Sequence, residues 1–191
     1  MSVYGLSIEP GTVFRGWVEE GRLSPLPGDE MAERYETVVE TLRNAGYEQY
    51  EISNFAKPGF ACRHNIEAWK NRPYLGFGPS AASYRDGVRS KNVCSTVEYA
   101  RRVRDGEPTA DETEELPAAR ALGEAMMLAL RMNEGITAGE VRKRHGVDPL
   151  VHYRRPIAKF EKAGLLDVTR NRIRLTDRGR LLADEVFQAF L

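Results

Sequence analysis

Cysteine is nearly absent. The 191 residues hold two, Cys62 and Cys94, with neither the short spacing of a zinc or CxxC site nor the number a disulfide framework needs. Both read as free thiols. No segment comes near the roughly 18 to 20 uninterrupted apolar residues of a membrane-spanning helix. The opening MSVYGLSIEPG carries neither the basic start nor the apolar stretch of a secretory leader, so a cytoplasmic chain is expected. Net charge is missing as well, with 28 Lys and Arg against 28 Asp and Glu. With 41% hydrophobic and 29% charged residues, disordered and collagen-like classes are excluded.

The charge balance is uneven along the chain. Residues 1–117 carry 14 basic and 19 acidic side chains, and residues 118–191 carry 14 and 9. That split suggests two modules with different surfaces, and the basic one raises the question of a nucleic-acid partner.

In the first module Val3-Tyr4-Gly5-Leu6-Ser7-Ile8 reads as a strand that begins abruptly, as a truncated start would. Val13–Glu20 reads as a short helix. Asp29 is the expected N-cap of a longer one, whose apolar stripe runs Met31, Tyr35, Val38 or Val39, Leu42 and Ala45 before Gly46 ends it. A helix delivered by a short turn into Tyr50–Ser53 looks like half of a βαβ unit, which favours a parallel sheet. Tyr74–Phe77 is the next expected strand. Ser95 with Glu98 has capping-box spacing for a helix to Arg104, stopped by Gly106. The acidic residues 105–117 read as a linker between domains 1–104 and 118–191. Beyond it come a helix Ala118–Met132, a second capped by Thr137 and ending at Gly146, and a third over Pro149–Ala163. A hairpin (Leu165–Thr169 and Ile173–Thr176) and a closing helix from Asp177 complete a winged-helix pattern.

Four stretches could carry chemistry. His64 begins HNIEAW, in a polar segment expected to be a loop between two strands, where open α/β sheets bind ligands. Its imidazole could ligate haem iron with Trp69 against the porphyrin face. The residues alone also allow a loop histidine bonded to backbone and a tryptophan anchoring the core. In Gly76-Phe77-Gly78-Pro79-Ser80-Ala81 small residues let the backbone approach a ligand, or simply make a bulge and a tight turn. Glu51 in YEISNF is expected to be a structural acceptor for Arg63 or a backbone amide, since a buried carboxylate needs a partner. The helix with His152, Arg154, Arg155, Lys159 and Lys162, together with Arg170 and Arg172 at the hairpin tip, would suit DNA. Pro156 interrupts that helix, however, and exposed charges are ordinarily just solvated, so nucleic acid is not the expected partner.

Taken together YEISNFA, RHNxxxW and GFGPSAxS resemble the HemW-like radical-SAM haem chaperones and their coproporphyrinogen-oxidase relatives, with LRMNEGI, EKAGLL and IRLTDRGRLLAD extending the likeness toward the end of the chain. The resemblance implies an α/β fold, the C-terminal part of a partial (β/α) radical-SAM barrel followed by a small winged-helix-like α+β domain. It implies haem binding by His64, Asn65 and Trp69, although Ala68 stands where the family's His-Asn-x-x-Tyr-Trp motif has tyrosine. It also implies a backbone-lined S-adenosylmethionine pocket at Gly5, Gly76, Gly78 and Ala82, the last replacing a histidine common in the family. The family's [4Fe–4S] cluster needs a CxxxCxxC-type triplet that two cysteines cannot supply. No radical chemistry is therefore expected of this chain alone. The implied roles are haem handling or, alternatively, part of an oxygen-independent coproporphyrinogen III oxidase. Partners would be haem or a porphyrin, and the missing N-terminal half or another chain covering an open sheet edge.

Overall fold

Thr12 accepts a hydrogen bond from the Arg15 amide and starts α1 (Val13–Glu19), the first helix in a computed structural model that describes all residues from Met1 to Leu191. The chain divides into two units, residues 1–61 and 62–191. In the first, α2 (Gly28–Asn44) turns Leu42 inward. Asp29 lies inside its first turn, not at the cap, which is Pro27. A carboxylate there still favours the positive end of the helix dipole. After α2 the Gly46 amide bonds to Arg43 O and the Tyr47 amide to Leu42 O, both at 2.9 Å, and the chain enters β1 (Glu48–Glu51).

β1 pairs antiparallel with β2 (Asn54–Ala56), where a parallel partner was expected. Only Ile52 and Ser53 link the two strands, and a link that short makes a hairpin, never a parallel crossover. The expected strand Val3–Ile8 does not form. The Val3 amide bonds to Ser53 O and the Phe55 amide to Met1 O, each at 2.8 Å, around one bridge between Ser2 and Asn54. Past Val3 the run has no neighbouring backbone to pair with, and Tyr4 and Leu6 are exposed.

The second unit begins with α3 (Arg63–Trp69), followed by the antiparallel sheet β3 (Ala82–Arg85), β4 (Val88–Asn92) and β5 (Ala110–Glu115) in the order β3-β4-β5. Between β4 and β5 lies α4 (Thr96–Asp105), capped by the Ser95 side chain and closed by Gly106 as expected. Two expectations are corrected here. Tyr74–Phe77 is not a strand; Tyr74 makes a single bridge to Tyr84, and Gly78 at φ 102° turns the chain away before a ladder can grow. The acidic linker is in large part β5, because Glu114 lies across from Arg89 and Glu112 across from Lys91, and opposite charges facing each other favour pairing.

The remainder runs in the expected order. α5 (Ala118–Leu130) is buried along most of its length, with Met126 and Leu130 fully enclosed. β6 (Ile136–Thr137) leads into α6 (Ala138–His145) through a complete capping box of Thr137 and Glu140. The expected third helix is two pieces, α7 (Pro149–His152) and α8 (Arg154–Lys162), broken at Tyr153. Pro156 explains the break, since it has no N–H to donate and its ring would strike the carbonyl one turn back, that of His152. β7 (Leu166–Val168) and β8 (Arg172–Leu175) form the hairpin, in a sheet of order β6-β8-β7. The closing helix is likewise split at Leu182 into α9 (Asp177–Leu181) and α10 (Ala183–Gln188). Leu122, Val141, Phe160, Ile173, Val186 and Phe190 from these elements are buried as the core. No helix is long and apolar enough to cross a membrane.

Candidate functional site

His64 stands in the first turn of α3, not in a loop. Its side chain is exposed and its imidazole enters no hydrogen bond or ion pair, so a ring nitrogen is available to a ligand. Asn65 follows, half-buried. On an ideal helix Trp69, five residues on, is rotated about 140° from His64, whereas Ala68 lies one turn along on the same face. The Trp69 ring is committed to the second unit's own packing. The Arg131 guanidinium at the end of α5 sits 4.4 Å from the ring centroid, and the buried indole Nε1 has no acceptor.

The C-terminal end of α3 is held from far along the chain. Arg144 on α6 donates to Lys70 O and Asn71 O, both at 2.6 Å, and Lys70 Nζ is 3.1 Å from Glu134 Oε1. Behind this end lies a cavity of about 40 Å³ lined by Lys70, Ala129, Met132, Val141, Arg144 and His145. Burial, and after it the charge of Arg144, holds the pKa of His145 below its ordinary value, and its buried Nε2 has no partner.

The glycine segment is fastened by side chains as well. The Gly76 amide donates to Ser83 Oγ at 2.9 Å and the Gly78 amide to Tyr99 Oη at 3.0 Å. Asn92 Nδ2 donates to Gly78 O at 2.9 Å, and Asn92 Oδ1 accepts from Thr109 Oγ1 at 2.9 Å. A Cβ on Gly76 would lie 2.1 Å from Ala82 O, so residue 76 is glycine because the chain's own backbone occupies that space. Gly76 and Ala82 are thus in direct contact, and Phe77 between them and Gly78 is 83% exposed. Gly5 belongs to the first unit, where a Cβ would sit 3.4 Å from Met31 Sδ. Also in that unit, fully buried Glu51 accepts from the Ser53 amide at 2.9 Å and from Asn54 Nδ2 at 2.5 Å, the structural role expected of it, with a neighbouring amide in place of Arg63.

Sequence reasoning passed over Arg131, Arg144, Asn92 and Tyr99, the residues that hold these two segments. Nothing local marks them, because each acts on a partner well removed along the chain. It also missed Glu124, buried on α5, which accepts from Arg89 at 2.5 Å and through that bond raises the pKa of the guanidinium.

A family model described as the HemN C-terminal domain matches residues 116–182. Heme chaperone HemW of Bacillus subtilis (strain 168) is 36% identical over 191 residues, covering 100% of this chain and 50% of the relative. Heme chaperone HemW of Lactococcus lactis subsp. lactis (strain IL1403) is 33% identical over 193 residues, with 100% and 50% covered. The chain spans about half the length of these relatives. Among solved structures, the coproporphyrinogen III oxidase HemN of Escherichia coli, a radical-SAM enzyme, superposes with a TM-score of 0.64 at 18% identity, over 81% of this chain and 39% of that one, a likeness of fold.

Proposed function

Because the chain belongs to the HemW-like radical-SAM family, of which it represents the C-terminal part, we propose that it is the haem-handling part of a haem chaperone and that His64 is its iron ligand. The observation that carries this reading is the free, exposed imidazole in the first turn of α3, at the start of the family's His-Asn motif. A neutral imidazole gives its nitrogen lone pair to haem iron as an axial ligand. Asn65, next to His64, would lend an amide to the same surface. Trp69 would act at one remove, as the anchor that joins α3 to α5 through Arg131.

Residues 1–104 are read as the closing part of a partial (β/α) barrel and residues 118–191 as a winged-helix-like domain, with the strand β5 between them. Gly76, Gly78 and Ala82 in the second unit are positions proposed to line S-adenosylmethionine, and Gly5 is proposed separately in the first. Of these Gly78 has open space around its α-carbon, while that of Gly76 is filled by Ala82. A three-thiolate iron–sulfur cluster does not fit the residues present, since the two cysteines are single, exposed thiols. No radical step is therefore assigned to these residues, and the chaperone reading is favoured over an oxidase one because the relatives that match the whole chain are haem chaperones.

The reading requires an iron–imidazole bond. Haemin should bind more tightly than metal-free protoporphyrin, followed by absorbance under conditions that keep both thiols reduced. Equal affinity for the two porphyrins would remove iron ligation from the proposal.

A further inference from the structure

Helix α3 has little to hold it in its own sequence. It is seven residues long, its N-cap Cys62 makes no side-chain capping bond, its first turn has no acid, its last turn has no base, and none of its residues is fully buried. A helix this short is not stable alone in water, where even 12 to 15 residues are marginal. What it lacks, the C-terminal elements supply. The two carbonyls at its C-terminal end receive the fork of Arg144 at 2.6 Å each, which satisfies orphan acceptors and sets a cation at the negative end of the helix dipole. One residue before Lys70, the Trp69 ring lies against the Arg131 guanidinium. Glu134, in the turn before β6, takes Lys70.

We infer that Arg144, with Arg131 beside it, is a positioning residue for His64: the C-terminal domain clamps the end of α3 and so fixes the direction in which the imidazole is presented. This rests on the haem reading and extends it, because it makes residues 118–191 a determinant of haem affinity although none of them need touch the porphyrin. The planar guanidinium matters as well as the charge, since a lysine ammonium cannot span two carbonyls in a fixed fork.

Two readouts on the full chain test this. The first needs no haem: hydrogen exchange at the Lys70, Asn71 and Arg72 amides, which close the last turn of α3 on Ile66, Ala68 and Glu67. Arg144→Ala is expected to speed their exchange about tenfold and Arg144→Lys by less, the loss of charge-assisted hydrogen bonds being of that order. Arg89→Ala, which breaks the 2.5 Å pair with Glu124 in the same unit, controls for general destabilisation and should leave them unchanged. The second is haemin affinity. Kd should rise about tenfold in Arg144→Ala, partly recover in Arg144→Lys, and stay at the wild-type value in Arg89→Ala. Unchanged exchange in Arg144→Ala would overturn the clamp. Faster exchange with unchanged haemin affinity would overturn the positioning role. Wild-type protein that binds no haemin would overturn the haem reading and this extension of it, and exchange would still decide whether Arg144 holds α3.

Discussion

One turn of helix separates His64 from Ala68, and what occupies position 68 decides what a ligand on His64 would meet beside it. A methyl group leaves that face open, where the family's tyrosine would add an aromatic surface and a hydroxyl. At Gly76 the constraint is harder. Any side chain collides with Ala82 O, so Gly76→Ala should lower stability by about 1 to 3 kcal/mol, the usual cost of overpacking, measured as a shift in the denaturation midpoint. A midpoint equal to wild type would mean that the 76–82 turn is not formed as described. His145 introduces a pH dependence. Its pKa is depressed by burial and by Arg144, so the unfolded chain takes up a proton more readily than the folded one. The stability at stake is intact above the ordinary imidazole value of 6.5 and is lost as pH falls through the lower, folded value. The thermal midpoint of the wild type should therefore drop more on mild acidification than that of His145→Gln. Of these features the need for glycine at 76 was legible in the sequence. Its cause was not, because the backbone that fills the space belongs to β3.

Secondary structure was most legible where local chemistry decides it. Ser95 and Thr137 cap their helices, Gly46 and Gly106 end theirs, and the helices and hairpin after residue 117 follow in the expected order. Thr137→Ala removes one side of the capping box and should cost about 1 kcal/mol, visible as a lowered urea midpoint with an unchanged slope. No change would mean that the Glu140 side of the box suffices. The failures share one cause. β5 looked like a solvated acidic run because its partners Arg89 and Lys91 are some twenty residues away and its own pattern is not apolar. Val3–Ile8 looked like a strand because alternation is a local signal, whereas a strand needs a neighbour. The parallel sheet was inferred from a helix-to-strand turn, and the two-residue link after β1 overrode it. In the sequence the α3 segment reads as loop, because the residues that sustain the helix lie at the end of α5 and on α6.

At the scale of the whole molecule the chain is two units carrying half the length of its relatives. The proposed haem ligand on α3 lies wholly within these residues, whereas their two cysteines do not make up the three thiolates of a cluster. The most direct test is a haemin titration followed at the Soret band, run in parallel on the wild type, His64→Ala and Ala68→Tyr. A saturable shift in the wild type that vanishes in His64→Ala and tightens in Ala68→Tyr is expected. The same curve for all three proteins would mean that α3 does not hold haem.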